Sequence, residues 1–306
     1  MAETSRLATL LADGHFVVTA EIGPPKSAAP DVVRKKAQIL KNHCDAANIT
    51  DNQAAVVRMA AWAGSLLAKE EGLEPIMQLT TRDRNIMALE SDLLGAWALG
   101  IRNILCLSGD PIRIGNHPMC KEVSETDSVG LVRLVAELRD HGKLYNGEEV
   151  DPAPKFFVAS AANPTLDSEE KIRQKVEAGT NFFQSNIVYD LRAFRRWFQP
   201  LLDAGYFEKA PLLVGITPPK SEAMLRHLDQ NIPGVTVPSE VMARMAGRKG
   251  ERAAEEGIKI ATELIDSLRG IEGVRGVHIM AIAWEDAIPQ IVERAGLYPR
   301  PWAPQG

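Results

Sequence analysis

A carboxylate inside an apolar stretch is the first candidate for chemistry. Glu21 lies within F-V-V-T-A-E-I (16–22), where its neighbours are mostly apolar. A carboxyl group in apolar surroundings has a raised pKa, so it can stay protonated near neutral pH and act as a general acid. The alternative is a glutamate that forms an ion pair with a nearby Lys or Arg at the rim of the fold. The residues themselves leave both interpretations open.

A second carboxylate ends another apolar stretch. Asp110 follows N-I-L-C-L-S-G (103–109) and is followed by Pro111. Gly109 permits a sharp turn or the close approach of a ligand, and a proline favours extended geometry in the residue before it. The pattern predicts a carboxylate held on a stiff loop. An aspartate that caps the next turn is the alternative.

Two amides stand two residues apart in a third apolar stretch. Gln184 and Asn186 should lie on the same side of a strand, where they could bind the edge of a heterocycle. Polar filling of the interior is the alternative. His278 lies in an apolar strand and is expected to be a hydrogen-bonded core histidine. The six histidines form no H-x-H or H-E-x-x-H pattern, so we expect no metal site.

The elements that must position these residues are short apolar runs alternating with amphipathic segments. The predicted strands cover 16–22, 46–50, 75–80, 103–108, 155–162, 181–187, 211–217 and 276–283. Most are almost continuously apolar, as parallel strands covered on both faces are. The helical segments between them cover about 31–42, 54–70, 84–99, 125–140, 167–178, 190–204, 220–229, 250–268 and 285–296.

Eight strand-then-helix units predict an α/β fold, a (β/α)8 TIM barrel in a single domain over residues 1–306. An open doubly wound sheet is the competitor, but it usually has fewer strands, and G-x-G-x-x-G does not follow the first strand. A short N-terminal helix is expected at about 4–12. Loop insertions are expected at about 111–124, 141–154 and 231–250. Catalytic groups of such barrels lie at the carboxyl ends of the strands.

Composition excludes several classes of function. The chain has 306 residues, 45% hydrophobic and 25% charged, with a net charge of −5. Basic residues form no stripe, so we expect no nucleic acid partner, and no apolar run is long enough to span a membrane. Three cysteines are too few for a disulfide framework, which predicts a cytoplasmic protein. The N-terminus lacks the basic region and cleavage site of a signal peptide.

The ordered strand ends resemble the methylenetetrahydrofolate reductase family. G-I-R-N-I-L-C-L-S-G-D-P (100–111) is similar to that family's G-I-R-x-I-x-A-L-R-G-D-P. R-Q-K-V-E-A-G-T-N-F-F-Q-S-N (173–186) is similar to K-x-K-x-x-A-G-A-x-F-x-x-T-Q. Shorter segments at 20–26, 78–80 and 214–218 resemble F-E-F-F-P-P-K, H-L-T and P-G-I-M-P. The resemblance spans nearly the whole chain.

The resemblance implies a barrel that reduces 5,10-methylenetetrahydrofolate to 5-methyltetrahydrofolate with NADH or NADPH. The family's general acid on strand 1 is Glu21 here, and the pterin-contacting aspartate of R-G-D is Asp110. The glutamine that holds the pterin edge aligns with Asn186, and Gln184 lies two residues earlier. Thr217, at the end of strand 7, is a further candidate for binding the substrate.

The expected chemistry gives each carboxylate a role. The methylene carbon of the substrate bridges N5 and N10, and protonation of N10 opens the ring to an N5 iminium cation. Glu21 would supply that proton, and the fixed charge of Asp110 would stabilise the cation. Hydride addition to the iminium carbon then leaves a methyl group.

Six positions align with residues that hold FAD in the family. They are Thr50, Gln78, Ser108, Asn163, Asp167 and Lys175. Thr50 and Lys175 match the family. However, glutamine replaces the histidine of H-L-T, serine replaces the arginine of R-G-D, asparagine replaces the tyrosine of A-Y-P-E-x-H, and Asp167 replaces its histidine. Because charge that could pair with phosphate is lost, we expect FAD binding to be weak or absent, with hydride passing directly from the nicotinamide.

Two other classes of function remain open from the sequence. One is a non-redox barrel that passes the methyl group of methyltetrahydrofolate to a corrinoid or thiol, which needs no acid at Glu21. The other is a non-catalytic subunit that binds folate or a partner protein. The expected partners are a folate, a nicotinamide dinucleotide and, at most, a few copies of the same chain: a monomer or small homo-oligomer.

Overall fold

A closed barrel of eight parallel strands forms the centre of the protein. The computed structural model describes residues 4–302, so positions 1–3 and 303–306 of the predicted domain lie outside the described residues. Each strand pairs with the next in chain order, and β8 pairs with β1. The strands are β1 Val17–Ile22, β2 Ala46–Ile49, β3 Pro75–Thr80, β4 Asn103–Leu107, β5 Phe157–Ala162, β6 Phe182–Ile187, β7 Leu212–Ile216 and β8 Val274–Ile279. The predicted (β/α)8 barrel is confirmed.

Helices surround the strands. They are α1 Arg6–Ala12, α2 Pro30–Leu40, α3 Ala61–Glu70, α4 Ile86–Ala98, α5 Ser128–His141, α6 Glu169–Glu177, α7 Leu191–Asp203, α8 Tyr206–Lys209, α9 Glu222–Asn231, α10 Ser239–Met245, α11 Glu251–Arg269 and α12 Ala287–Arg294. The predicted N-terminal helix is α1. None of the helices in residues 4–302 is long and apolar enough to cross a bilayer.

The apolar sequence of the strands follows from where the core lies. All six residues of β3 and all five of β7 are buried, because helices cover one face and the barrel interior covers the other. α1 closes the amino-terminal end of the barrel, where Leu7, Leu10 and Leu11 pack with apolar residues from the starts of the strands. The opposite end, where the strands finish, is left open for ligands.

A buried ion pair fixes the closed end. The Asp45 carboxylate is fully buried and accepts hydrogen bonds from Arg300 Nη2 at 2.7 Å, from Val18 N at 2.7 Å and from Trp302 Nε1 at 2.9 Å. Arg300 also donates to the carbonyl oxygens of Leu297 and Phe16. This network joins the segment after α12 to the start of β1.

Three predicted boundaries differ from the structure, and the first two of them lie at the open end. β8 ends at Ile279 rather than at 283, so residues 280–285 form a loop at the barrel mouth. The predicted loop 231–250 contains α10, and it begins with the last residue of α9. The predicted loop 141–154 begins one residue later, because α5 includes His141.

Candidate active site

A cavity of about 350 Å³ opens at the carboxyl ends of the strands. Carboxamide and carboxyl groups line it alongside a few apolar side chains. The lining residues are Glu21, Asn48, Gln78, Leu105, Leu107, Ala161, Ala162, Asn163, Asp167, Lys175, Gln184, Ser185, Asn186, His278 and Met280. The predicted acid and both predicted amides therefore meet in one cavity.

Glu21 has the properties that a general acid needs. Its side chain is 23% exposed, and burial raises the pKa of its carboxyl group to about 7. The Gln78 amide, whose Nε2 atom lies 3.5 Å from Glu21 Oε2, lowers this pKa by its hydrogen bond. Smaller electrostatic effects come from Glu285, which raises the pKa, and Lys36, which lowers it. Near neutral pH a large fraction of Glu21 is protonated and faces the cavity.

A buried polar network lies beneath Glu21. His278 Nδ1 lies 3.0 Å from Thr19 Oγ1, and His278 Nε2 lies 3.4 Å from Asn48 Nδ2. Burial lowers the pKa of His278 to about 3, so the imidazole is neutral. The predicted hydrogen-bonded core histidine is confirmed. Since its Nε2 atom is also 4.0 Å from Glu21 Oε2, the network forms the floor of the cavity.

The two amides of β6 have different surroundings. Gln184 and Asn48 donate to each other's carboxamide oxygens at 3.1 and 2.8 Å, which holds Gln184 in the barrel interior. Asn186 Nδ2 donates to Pro233 O at 3.0 Å, in the segment between α9 and α10.

A Cβ atom on Gly215 would lie 2.3 Å from the Ser185 carbonyl oxygen, so glycine is needed in β7 beside this irregular part of β6.

Asp110 stands apart from this cavity, on the exposed loop after β4. Its Oδ2 atom accepts a hydrogen bond from Ala54 N at 2.8 Å, and its carbonyl oxygen accepts one from Arg82 at 3.0 Å. Gly109 has a φ of 89°, which agrees with the expected turn. Asn52 and Ala54 have φ values of 45° and 56°, a left-handed geometry that costs about 1 to 3 kcal/mol and is often found at functional sites. Asp110 therefore reaches the loop after β2 rather than the cavity lining.

A smaller cavity of about 150 Å³ lies on the other side of Glu21. Glu21 and Met280 line both cavities, so they form the boundary between them. Lys36 Nζ and Glu285 Oε1 form an ion pair at 2.6 Å in the smaller cavity. Lys36 belongs to α2 and Glu285 to the loop after β8, two elements that are distant in sequence.

Several of these neighbours have no role in the predictions from the sequence. Asn48 carries the same signal as Glu21, a polar residue inside an apolar strand, and could have been found in that way. Lys36 falls on a regular helix pattern, and Glu285 falls in a loop. Their pairing depends on barrel closure, so no local pattern indicates it.

A sequence profile of the methylenetetrahydrofolate reductase family matches residues 6–296. The chain belongs to this family. Methylenetetrahydrofolate reductases 1 and 2 of Schizosaccharomyces pombe are 25% and 26% identical to it, over 76% and 80% of this chain but 37% and 39% of theirs. The chain thus spans less than two fifths of the length of these relatives. The 5,10-methylenetetrahydrofolate reductase of Pectobacterium carotovorum is 23% identical, over 76% of this chain and 73% of that one.

Solved structures resemble the barrel as a whole. A Clostridium thermocellum protein described as binding two copies of 5-methyl-5,6,7,8-tetrahydrofolic acid superposes with a TM-score of 0.61 and 14% identity, over 95% of this chain and 98% of that one. An F420-dependent secondary alcohol dehydrogenase superposes with a TM-score of 0.59 and 11% identity, over 92% and 99%. At these identities the likeness concerns the fold alone.

In the lining of the larger cavity, the positive charge that could hold FAD is already compensated. Lys175 is the only Lys or Arg among the described residues that line the larger cavity. Its ammonium group is already paired with Asp167 at 2.9 Å and donates to Ala161 O at 2.8 Å. Asn163 accepts hydrogen bonds from Thr165 N and Leu166 N in its own loop. No uncompensated cation is left in this lining to pair with a pyrophosphate.

Three further predicted residues lie outside the lining of the larger cavity. Thr50 donates its hydroxyl hydrogen to Gln53, and Ser108 accepts a hydrogen bond at 3.1 Å from the backbone of Ser128 at the start of α5. Thr217 is buried, and its hydroxyl has no hydrogen-bond partner in the described part of the chain. The structure does not bring these three side chains together with Glu21.

Proposed function

We propose that this protein reduces 5,10-methylenetetrahydrofolate to 5-methyltetrahydrofolate with NADH or NADPH. Membership of the reductase family supports a folate substrate. The observation that carries the proposal is Glu21, a carboxyl group with a pKa near 7 in a cavity that several carboxamide side chains also line. Protonation of N10 is needed only if the bond to N10 is broken, which occurs in reduction and not in methyl transfer from N5.

The proposed reaction begins with proton transfer from Glu21 to N10. The bond between N10 and the methylene carbon breaks, and the N5 lone pair forms the iminium cation. The hydride of the nicotinamide C4 atom adds to the iminium carbon, so the folate gains a methyl group and the nicotinamide is oxidised. Glu21 is left as a carboxylate and takes a proton from water before the next cycle. One hydride and one proton are consumed in each cycle.

The amides of the cavity are proposed to hold the pterin ring. Asn48, Gln78 and Asn186 present donors and acceptors of the kind that pair with the edge of a pyrimidine ring. Gln184 is proposed to act mainly through Asn48, because its amide is already paired there. We assign Asp110 to the rim, where the loop after β4 continues from cavity-lining Leu107. Because its carboxylate accepts a hydrogen bond from Ala54 N, its charge is proposed to act on the cation from the rim, without contact to the folate.

We further propose that hydride passes directly from the nicotinamide to the folate without FAD. The compensated Lys175–Asp167 pair and the serine at position 108 support this version, since neither offers a free positive charge to a pyrophosphate. Both substrates must then be bound at the same time. Initial-velocity lines at several NADH concentrations should intersect, as in a sequential mechanism.

The test is an NADH-oxidation assay with methylenetetrahydrofolate, run on gently purified protein with and without added FAD. We expect a colourless protein, turnover without flavin, no stimulation by FAD and intersecting lines. Parallel lines, or a yellow protein whose activity requires FAD, would contradict direct hydride transfer while leaving the reductase assignment in place. Absence of NADH and NADPH oxidation under both conditions would contradict the reductase assignment itself.

A further inference from the structure

Three cavities lie in sequence across the open end of the barrel. The first, of about 350 Å³, and the second, of about 150 Å³, meet at Glu21 and Met280. The second and a third, of about 560 Å³, share Arg58. Glu21 therefore separates the first two cavities, and Arg58 separates the last two. A ligand that extends past Glu21 into the second cavity enters a space that Arg58 also lines.

Arg58 has unused capacity to bind an anion. Its Nη1 atom donates to the carbonyl oxygen of Pro24 at 2.9 Å, and its backbone N–H donates to Asn52. Its Nε atom is buried and has no hydrogen-bond partner among residues 4–302. No carboxylate within the described part of the chain forms an ion pair with it. A buried guanidinium N–H without a partner costs free energy, and a bound carboxylate would satisfy it.

The third cavity continues from Arg58 along the start of α3. Its walls are largely apolar, from Val57, Met59, Leu66 and Leu67, and Trp62 is 41% exposed there. Lys26 lies at the exposed side of the cavity. A second cation is thus available a short distance beyond Arg58.

We propose that the second cavity binds the aminobenzoyl ring of the folate and that Arg58 binds the carboxylates of its glutamate tail. Further γ-linked glutamates would enter the third cavity towards Lys26. This inference rests on the proposed function, because it uses Glu21 as the donor to N10.

The order of groups in the substrate matches the order of the cavities. N10 lies between the pterin half of folate and the aminobenzoyl ring, and Glu21 lies between the first cavity and the second. If Glu21 protonates N10, then the aminobenzoyl ring must begin beside Glu21. Met280, Ala281, Ile282 and Ala283 supply apolar contacts for a ring in the second cavity. The glutamate, one amide bond further along, then reaches Arg58.

The experiment compares substrates that differ only in the tail. Methylenetetrahydropteroate has no glutamate, and it is assayed beside the monoglutamate and the triglutamate. We expect the wild type to have a KM for the monoglutamate about ten- to a hundredfold below that for the pteroate, the range of a charge-assisted hydrogen bond. Arg58→Met should abolish most of this preference, and Arg58→Lys should restore part of it.

A second variant tests the extension of the tail. Lys26→Met should reduce the preference for the triglutamate over the monoglutamate by severalfold. Arg34→Met is the matched control, because Arg34 is paired with Glu70 and Glu71 on the outside of the barrel. It should leave all three KM values within about twofold of the wild type.

Several results would overturn the inference. Equal KM values of the wild type for the pteroate and the monoglutamate would contradict it. This result needs no variant, so it holds even if Arg58→Met fails to fold. If Arg58→Met raises the KM for NADH and not the KM for the glutamate-bearing substrates, Arg58 binds the dinucleotide instead. Failure of the wild type to reduce any of the three folates would contradict the proposed function and is distinct from both results.

Discussion

Glu21 Oε2 and His278 Nε2 lie 4.0 Å apart at the floor of the larger cavity, and the histidine is neutral. A charged imidazolium at this distance would favour the carboxylate and lower the pKa of Glu21. Because burial holds the pKa of His278 near 3, that stabilisation is absent, and the pKa of Glu21 stays at about 7. The neutral histidine is therefore part of the reason that Glu21 can donate a proton.

Activity should depend on pH through Glu21. The acid is active when protonated, so kcat/KM should be level below about pH 7 and should fall tenfold for each pH unit above it. Glu285 from the loop after β8 and Lys36 from α2 shift the pKa of Glu21, and His278 from β8 lies 4.0 Å from it. Arg58, Asp167 and Lys175 also line the two cavities that Glu21 borders. The measurement is kcat/KM for methylenetetrahydrofolate from pH 5.5 to 9 at saturating NADH. A profile that rises over this range would contradict the assignment.

The Lys36–Glu285 ion pair should shift that profile in opposite directions when each partner is removed. Glu285→Gln removes a negative charge that raises the pKa of Glu21, so the fall in activity should move to lower pH. Lys36→Met removes a positive charge, so the fall should move to higher pH. Glu293→Gln, on the outer helix α12, is the control and should leave the midpoint in place. Shifts of both site variants in the same direction would contradict this electrostatic account.

The stability of the protein should also depend on Glu21. Its folded pKa of about 7 lies above the ordinary value of 4.5, so the folded state binds this proton more tightly than the unfolded state. The resulting stability is present in full below about pH 4.5 and is lost as the pH rises through 7. It amounts to up to about 3 kcal/mol at 1.36 kcal/mol per pKa unit.

Urea unfolding at pH 5 and pH 8 measures this effect. The wild type should lose more free energy of unfolding between the two pH values than Glu21→Gln does, because glutamine does not titrate. Equal losses in the two proteins would mean that the pKa of Glu21 is not raised by folding.

The ion pair at the closed end should matter for stability and not for chemistry. Arg300→Met leaves the fully buried Asp45 carboxylate with only Val18 N and Trp302 Nε1 as the hydrogen-bond donors described here. Loss of one partner of a buried pair costs about 3 to 5 kcal/mol. We expect a clear fall in the midpoint of urea unfolding, with the pH midpoint of kcat/KM retained. A change below 1 kcal/mol would show that the charge of Asp45 is relieved in another way.

The fold could be predicted from the sequence because each element carries its own signal. The runs at 75–80 and 103–108 are mostly apolar. Amphipathic segments of helical length separate such runs, so both the strands and their parallel arrangement follow. The predicted end of β8 was less accurate. Residues 280–283 are as apolar as the strand itself, and only the barrel closure decides that they form a loop.

Part of the site could be predicted because polar residues are conspicuous in apolar strands. Glu21 and Asn48 stand out as polar residues in apolar strands. The ion pair between Lys36 and Glu285 joins residues almost 250 positions apart, which no local pattern reports. Asp167 was expected to begin a helix, but Ser168 caps α6 and Asp167 pairs with Lys175 instead.

The most direct test of this account is the rate of NADH oxidation by flavin-free wild type and Glu21→Gln with saturating methylenetetrahydrofolate. Glutamine keeps the shape of the side chain but cannot donate an acidic proton. We predict that kcat falls by about a hundredfold to ten-thousandfold, while binding of 5-methyltetrahydrofolate, followed by its fluorescence or by calorimetry, stays within a few fold. A variant that keeps kcat within a few fold of the wild type would contradict the role of Glu21 as the acid.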